Sequence, residues 1–180
     1  MLAMNTVITL LFRSWESRFK ISDSFELTEN KALTTLATLP KEWMVEFMFK
    51  PTSLNFKGNE YSVYTNMFHM TTGKDSSRTP AVFVRPGGGL HIATGLNNTA
   101  NFYHDFPTQS TVDEWTKVLI CQRFQNGKLR YKVFLDDVEE LNVVNSKPVE
   151  LENVKVYASN PWYQAQPGFV KNLSVNVIKD

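Results

Sequence analysis

Residues 115–135 read WTKVLICQRFQNGKLRYKVFL. Two runs with alternating apolar positions flank Gln125-Asn126-Gly127-Lys128. Asn-Gly between such runs is the strongest short-range hairpin signal, because both central residues of the tight turn need positive φ. After the turn, Leu129, Tyr131, Val133 and Leu135 share one face, while Arg130, Lys132 and Phe134 share the other. The stretch therefore predicts two antiparallel strands with one face in a core.

The same period extends outward. Trp43, Val45, Phe47 and Phe49 alternate with Met44, Glu46, Met48 and Lys50, and Pro51 ends the run. Tyr61 to Met70 reads as a longer strand, partly apolar on both faces. A polar loop from Thr71 to Pro80 precedes a short strand, Ala81 to Arg85. Pro86-Gly87-Gly88-Gly89 is a turn, Leu90 to Thr94 is extended, and Gly95 to Thr99 is another loop. Asp136-Asp137 turns the chain after the hairpin. Val154 to Ala158 and Leu173 to Ile178 are the closing strands, and Thr111 to Trp115 forms a turn at most. No linker, repeat or charge block divides the chain. The expectation is a single all-β domain, a two-sheet antiparallel sandwich of about a dozen strands. Residues 19–180 form the sandwich, and residues 1–18 are an edge strand or the remnant of a leader.

Composition narrows the function. The chain has 180 residues, 42% hydrophobic and 13% aromatic, which suits one domain with a real core and excludes a disordered chain. A net charge of +1 gives no electrostatic footprint for nucleic acid, and it fits a neutral ligand such as a sugar better than a polyanion. No stretch approaches the roughly 20 apolar residues of a membrane-spanning helix. The lone Cys121 sits in Val118-Leu119-Ile120-Cys121 and reads as buried filler. A disulfide between two copies, giving a homodimer, would require it at an exposed edge.

Three stretches carry a family resemblance. They are Leu39 to Pro51, Glu114 to Ile120 with its hairpin to Val133-Phe134-Leu135-Asp136, and Val154 to Ser159 followed by Gly168 to Leu173. Their order, over Phe19 to Ile178, resembles the concanavalin A-like jelly roll, the group holding laminin G-like, pentraxin-like and legume-lectin-like domains. The resemblance implies binding of carbohydrate or glycoprotein, often with calcium, in an extracellular setting, although a cytoplasmic one stays open. Some branches hydrolyse glycans. The Glu-x-Asp-x-x-Glu arrangement of the glucanase branch is missing, and no Gly-x-Ser-x-Gly elbow occurs. Glycoside hydrolysis needs two facing carboxyls, so a non-catalytic binding module is the first reading. A laminin G-like adhesion domain with a protein partner is the second, and a glycan hydrolase the third.

Two stretches hold the candidate binding residues. The first, residues 97–105, offers Asn97, Asn98 and Asn101 as hydrogen-bonding amides, Tyr103 as a ring for a sugar face, and His104. Asp105 and Asn101 could supply part of an oxygen set for calcium, the one cofactor considered. The second is the Trp162-Tyr163 pair in a loop bounded by prolines, which either packs over the sandwich or forms a platform. Arg78 and Arg85 could grip a carboxylate in bidentate fashion. His69, His91 and His104 are too far apart for a local metal motif; His69 reads as a core residue and His91 as exposed. Asn97-Asn98-Thr99 and Asn172-Leu173-Ser174 are glycosylation sequons that matter only in a secreted protein.

Overall fold

The computed structural model describes residues 14–54 and 62–178. Thirteen strands form two antiparallel sheets, with no helix among the described residues. In the first sheet the order is β1 (Trp15–Ile21), β13 (Gly168–Ile178), β4 (Trp43–Pro51), β9 (Thr116–Gln125), β10 (Lys128–Leu135) and β11 (Val138–Val144). A short β2 (Phe25–Glu26) also pairs with β13. In the second the order is β3 (Lys31–Leu39), β12 (Leu151–Ser159), β5 (Thr65–Thr71), β6 (Ala81–Val84), β7 (Gly89–Leu96) and β8 (Thr99–Gln109).

The predicted hairpin is present. Asn126 and Gly127 have φ of 52° and 73°, and Leu129 pairs with Phe124. Asp136 and Asp137 repeat the device between β10 and β11, with φ of 47° and 67°. Asn97 and Asn98 do so between β7 and β8, with φ of 53° and 65°. Short polar side chains tolerate that left-handed backbone better than branched ones do, so these turns set the register of the strands they join.

The core lies between the sheets. Val45, Phe47 and Phe49 of β4, Val118 and Ile120 of β9, and Val175 and Val177 of β13 face Met70, Val82, Val84, Ile92 and Val156 of the second sheet. The strict alternation along β4 follows from its having one face inside and one outside.

One local reading changes, at the start of β5. The strand expected from Tyr61 begins at Thr65, and Tyr61 itself lies outside the described residues. Every residue of β5 is buried because the sheet's outward face is itself covered there. The segment 1–12, read as an edge strand or leader, lies outside the described residues. The strand β1 crosses the division placed after residue 18 and pairs with β13, Trp15 opposite Ile178. Cys121 is buried, at 5% exposure, but on the outward side of β9, between Met44 and Lys132. Because β9 lies between β4 and β10, this thiol is not at an edge.

Candidate functional site

Strand register places two rows of side chains across the outward face of the second sheet. One runs Asn66, Phe83, His91, Asp105 over β5, β6, β7 and β8; the other runs His69, Ala81, Ala93, Tyr103. The two alanines leave a hollow between larger neighbours. Tyr163 fills it, 8% exposed, its ring 4.7 Å from Phe83 at 63°. Half-buried Trp162 lies 5.6 Å from the His69 ring. The Trp-Tyr pair is therefore packed onto the sheet.

Buried amides hold this loop. Asn160 Oδ1 accepts from the backbone N–H groups of Trp162 (3.0 Å) and Tyr163 (2.9 Å). Its Nδ2 donates to His69 Nδ1 at 2.7 Å. The backbone N–H of Asn160 in turn donates to Asn66 Oδ1 at 2.9 Å. Gln166 accepts from the Thr65 hydroxyl and donates to Ser53 O at 2.7 Å. His69 is fully buried, and desolvation lowers its pKa to about 4, against the opposing pull of Asp75.

Beyond the loop the same face is open. Tyr103 is 56% exposed and stacks on His91, with centroids 5.1 Å apart and planes at 28°. His91 is buried rather than exposed: Tyr64 lies 5.1 Å from its ring and Phe83 5.7 Å. Its Nδ1 is 2.6 Å from Asp105 Oδ1. An ionised carboxylate only accepts, so Nδ1 carries the proton and fixes the tautomer. Burial lowers the His91 pKa, opposed by Asp105. Arg85 Nη1 approaches the second oxygen, Asp105 Oδ2, at 3.5 Å. A ring backed by a rigid imidazole thus stands beside a carboxylate and a guanidinium.

A second polar group adjoins it. Arg78 donates to Asp75, to the Tyr163 hydroxyl (3.0 Å) and to Asn101 Oδ1 (2.7 Å), and its guanidinium lies over the Phe83 ring. Arg78 also walls a cleft of about 350 Å³ with an apolar floor that includes Trp43, Leu96 and Leu151. Asn97 and Asn98 line its mouth. The Asn97 side chain is a latch: Nδ2 donates to Val144 O at 3.0 Å, and Oδ1 accepts from Ser146 N. A glycan on that sequon would break the latch, whereas Asn172 is exposed at a bulge in β13.

The candidates thus divide. Tyr103, Arg85 and Asp105 come together with His91, and Arg78 comes together with Asn101 and Tyr163. Asn97 and Asn98 belong to the cleft. His104 turns inward with Phe102 and Phe106, its ring 4.7 Å from Phe106, because alternation along β8 puts Tyr103 and Asp105 outside. The calcium pair does not fit the ion. Asp105 is engaged by His91 and Arg85, and Asn101 by Arg78, so cations already sit against the proposed donors. Among the described residues no group of three or more His, Cys, Asp or Glu could hold a metal.

No protein-family model matches the chain, and no curated sequence resembles it. Solved structures do. The LG4-5 domains of mouse laminin alpha1 chain align with a TM-score of 0.58 at 12% identity, covering 89% of this chain and 43% of that one. A heptameric SAP-like pentraxin from Limulus polyphemus aligns with a TM-score of 0.55 at 14% identity, covering 87% and 77%. A Ruminococcus gnavus sialidase CBM40, bound to alpha2,3 sialyllactose, aligns with a TM-score of 0.53 at 16% identity, covering 89% and 95%. The fold is the concanavalin A-like, laminin G-like jelly roll. Two lyases and an arabinanase domain share it too, so the jelly roll by itself assigns no chemistry.

Sequence reasoning missed His91 and Tyr64. Alternation with Leu90 and Ile92 does put His91 outward. What brings it to Asp105 and Tyr103 is the β7–β8 register, set by the Asn97-Asn98 turn.

Proposed function

We propose that this jelly roll is a non-catalytic carbohydrate-binding module whose ligand lies on Tyr103. The observation that carries the reading is the Tyr103–His91 stack. A half-exposed tyrosine held flat against a buried imidazole offers a ring face at little entropic cost. The C–H face of a pyranose covers such a ring, while Asp105 accepts from its hydroxyls and Arg85 donates to them. The pentraxin and the sialyllactose-bound CBM40 share the architecture, which supports a sugar ligand. Hydrolysis would need a second carboxyl facing Asp105 across the bond, and Asp105 is instead engaged by His91 and Arg85. Because the cationic Arg85 and Arg78 lie against the Asp105 and Asn101 oxygens, binding is expected to survive EDTA.

The test is a glycan array with wild type and Tyr103→Ala, followed by titration of the best hit. Losing about 1.4 kcal/mol of stacking would weaken binding about tenfold. The melting temperature should hold, because the ring is half exposed. Equal affinity in the variant would refute the platform. An array silent for wild type would point instead to a protein partner, as in the adhesion reading.

A further inference from the structure

The outward face of the first sheet carries a second feature. The chain is nearly neutral, with 19 cationic and 18 acidic residues. Yet on the four adjoining strands β13, β4, β9 and β10 the outward side holds Lys50, Lys117, Arg123, Arg130, Lys132 and Lys171, against the single carboxylate Glu46. Lys117 is paired with Glu46 and Asp137, and Lys132 with Glu139. Lys50, Arg123 and Lys171 have no carboxylate partner among the described residues.

Aromatic rings hold those three instead. The Lys171 ammonium lies 4.1 Å from the centre of the Trp115 ring, and the Lys50 ammonium lies 5.4 Å from it. Lys50 is also 5.5 Å from Phe169. Two like charges gathered at one indole repel each other, and an anion between them relieves the repulsion. At the far end of β9, Arg123 lies 5.9 Å from the Trp15 ring. There a furrow of about 340 Å³, lined by Met44, Leu119 and Phe134, runs between Trp15 and Lys132. Trp115 and Arg123 are about 26 Å apart along the strand at ~3.3 Å per residue, the length of an oligosaccharide.

We infer that this face binds a linear acidic glycan. One of its anionic groups sits between Lys50 and Lys171, and its sugar rings lie along β9 toward Trp15 and Arg123. The ligand must carry widely spaced charge, apolar ring faces and hydroxyl donors, since rings alternate with cations and Glu46 accepts only. A phosphodiester chain offers denser charge and fewer donors. The site is separate from Tyr103 and does not depend on that reading.

The probes are polygalacturonate for a carboxylate, dextran sulfate for a sulfate, neutral dextran, and a single-stranded oligodeoxynucleotide. Each is titrated calorimetrically against the full chain. Wild type should bind at least one acidic glycan, more weakly as salt rises, while any binding of neutral dextran should not depend on salt or on Lys50 and Lys171. Lys50→Gln/Lys171→Gln should cut that affinity at least tenfold, with an unchanged circular dichroism spectrum and melting temperature. Arg123→Gln gives a second, independent loss, while Tyr103→Ala should leave acidic binding intact. Whichever acidic polymer binds better identifies the anion. Three results overturn the inference: no binding to either acidic polymer, full binding by the double variant, or equal or tighter binding of the oligonucleotide.

Discussion

Replacing Asn160 with alanine tests how the Trp162-Tyr163 loop is held. Asn160 is fully buried, and its side chain makes three hydrogen bonds, two from loop N–H groups and one to His69 Nδ1. Alanine leaves all three partners unmet, and only Trp162 has partial access to water. A buried group without its partner costs about 1–3 kcal/mol. Taking the low end for Trp162 N–H and the middle for the other two gives a loss of about 5 kcal/mol. For a chain of this size that lowers the melting temperature by about 13 °C. Urea unfolding followed by tryptophan fluorescence reads the change as a lower midpoint at constant slope. Asn160→Asp is the companion variant: it keeps the acceptor for both N–H groups, but it replaces the donor to His69 with a buried carboxylate, so it too should be destabilised at pH 7. An alanine variant within about 1 kcal/mol of wild type would mean that the loop is not anchored this way.

Other consequences can be measured on the same protein. His69 titrates near 6.5 when unfolded but at about 4 when folded, so the unfolded chain takes the proton first as pH falls. Stability from this residue is therefore intact above pH ~6.5 and declines by about 3 kcal/mol toward pH 4. His69→Gln should flatten that part of the acid limb in urea midpoints, and an unchanged slope would count against it. Burial pushes the Cys121 thiol up to about 11, so iodoacetamide at pH 8 should label it only in urea. Rapid labelling of the native protein would contradict the buried placement. Gly168 has φ of 155°, and a Cβ there would strike the backbone of Lys50 and Pro51 where β13 begins to pair with β4. Gly168→Ala should cost about 2 kcal/mol or more, read in the same urea assay, and wild-type stability would refute the close approach.

The parts of the fold legible in the sequence are those written in short range. Asn126-Gly127, Asp136-Asp137 and the alternation along β4 are local facts, and local chemistry decides them. The strand β5 was harder to bound because its outward polar residues, Asn66 and His69, are themselves buried. The reason lies some ninety residues away, where Asn160, Tyr163 and Gln166 bring a loop over it. The same loop explains why Trp162 and Tyr163, apolar residues between prolines, are not an exposed platform. The pairing that buries them depends on Asn66 and His69, whose outward direction follows from the β5–β6 register.

The candidate sites follow the same logic one step further. Tyr103, Arg85 and Asp105 could be named from residue type, because exposed rings and charges in polar segments are candidates anywhere. Their grouping could not, since it needs β6, β7 and β8 in register. His104 shows the cost of ignoring that. It neighbours Tyr103 and Asp105 in sequence, yet a period of two sends it to the inner side of β8 beside Phe106. The cationic face of the first sheet was hidden for a complementary reason. A net charge of +1 is a sum over both sheets and all loops, and it cancels a local excess that only strand direction exposes. The near-neutral total argued against a polyanion for the molecule as a whole. It does not argue against one for β4, β9, β10 and β13, where the cations share a side and Lys50, Arg123 and Lys171 have no carboxylate partner among the described residues.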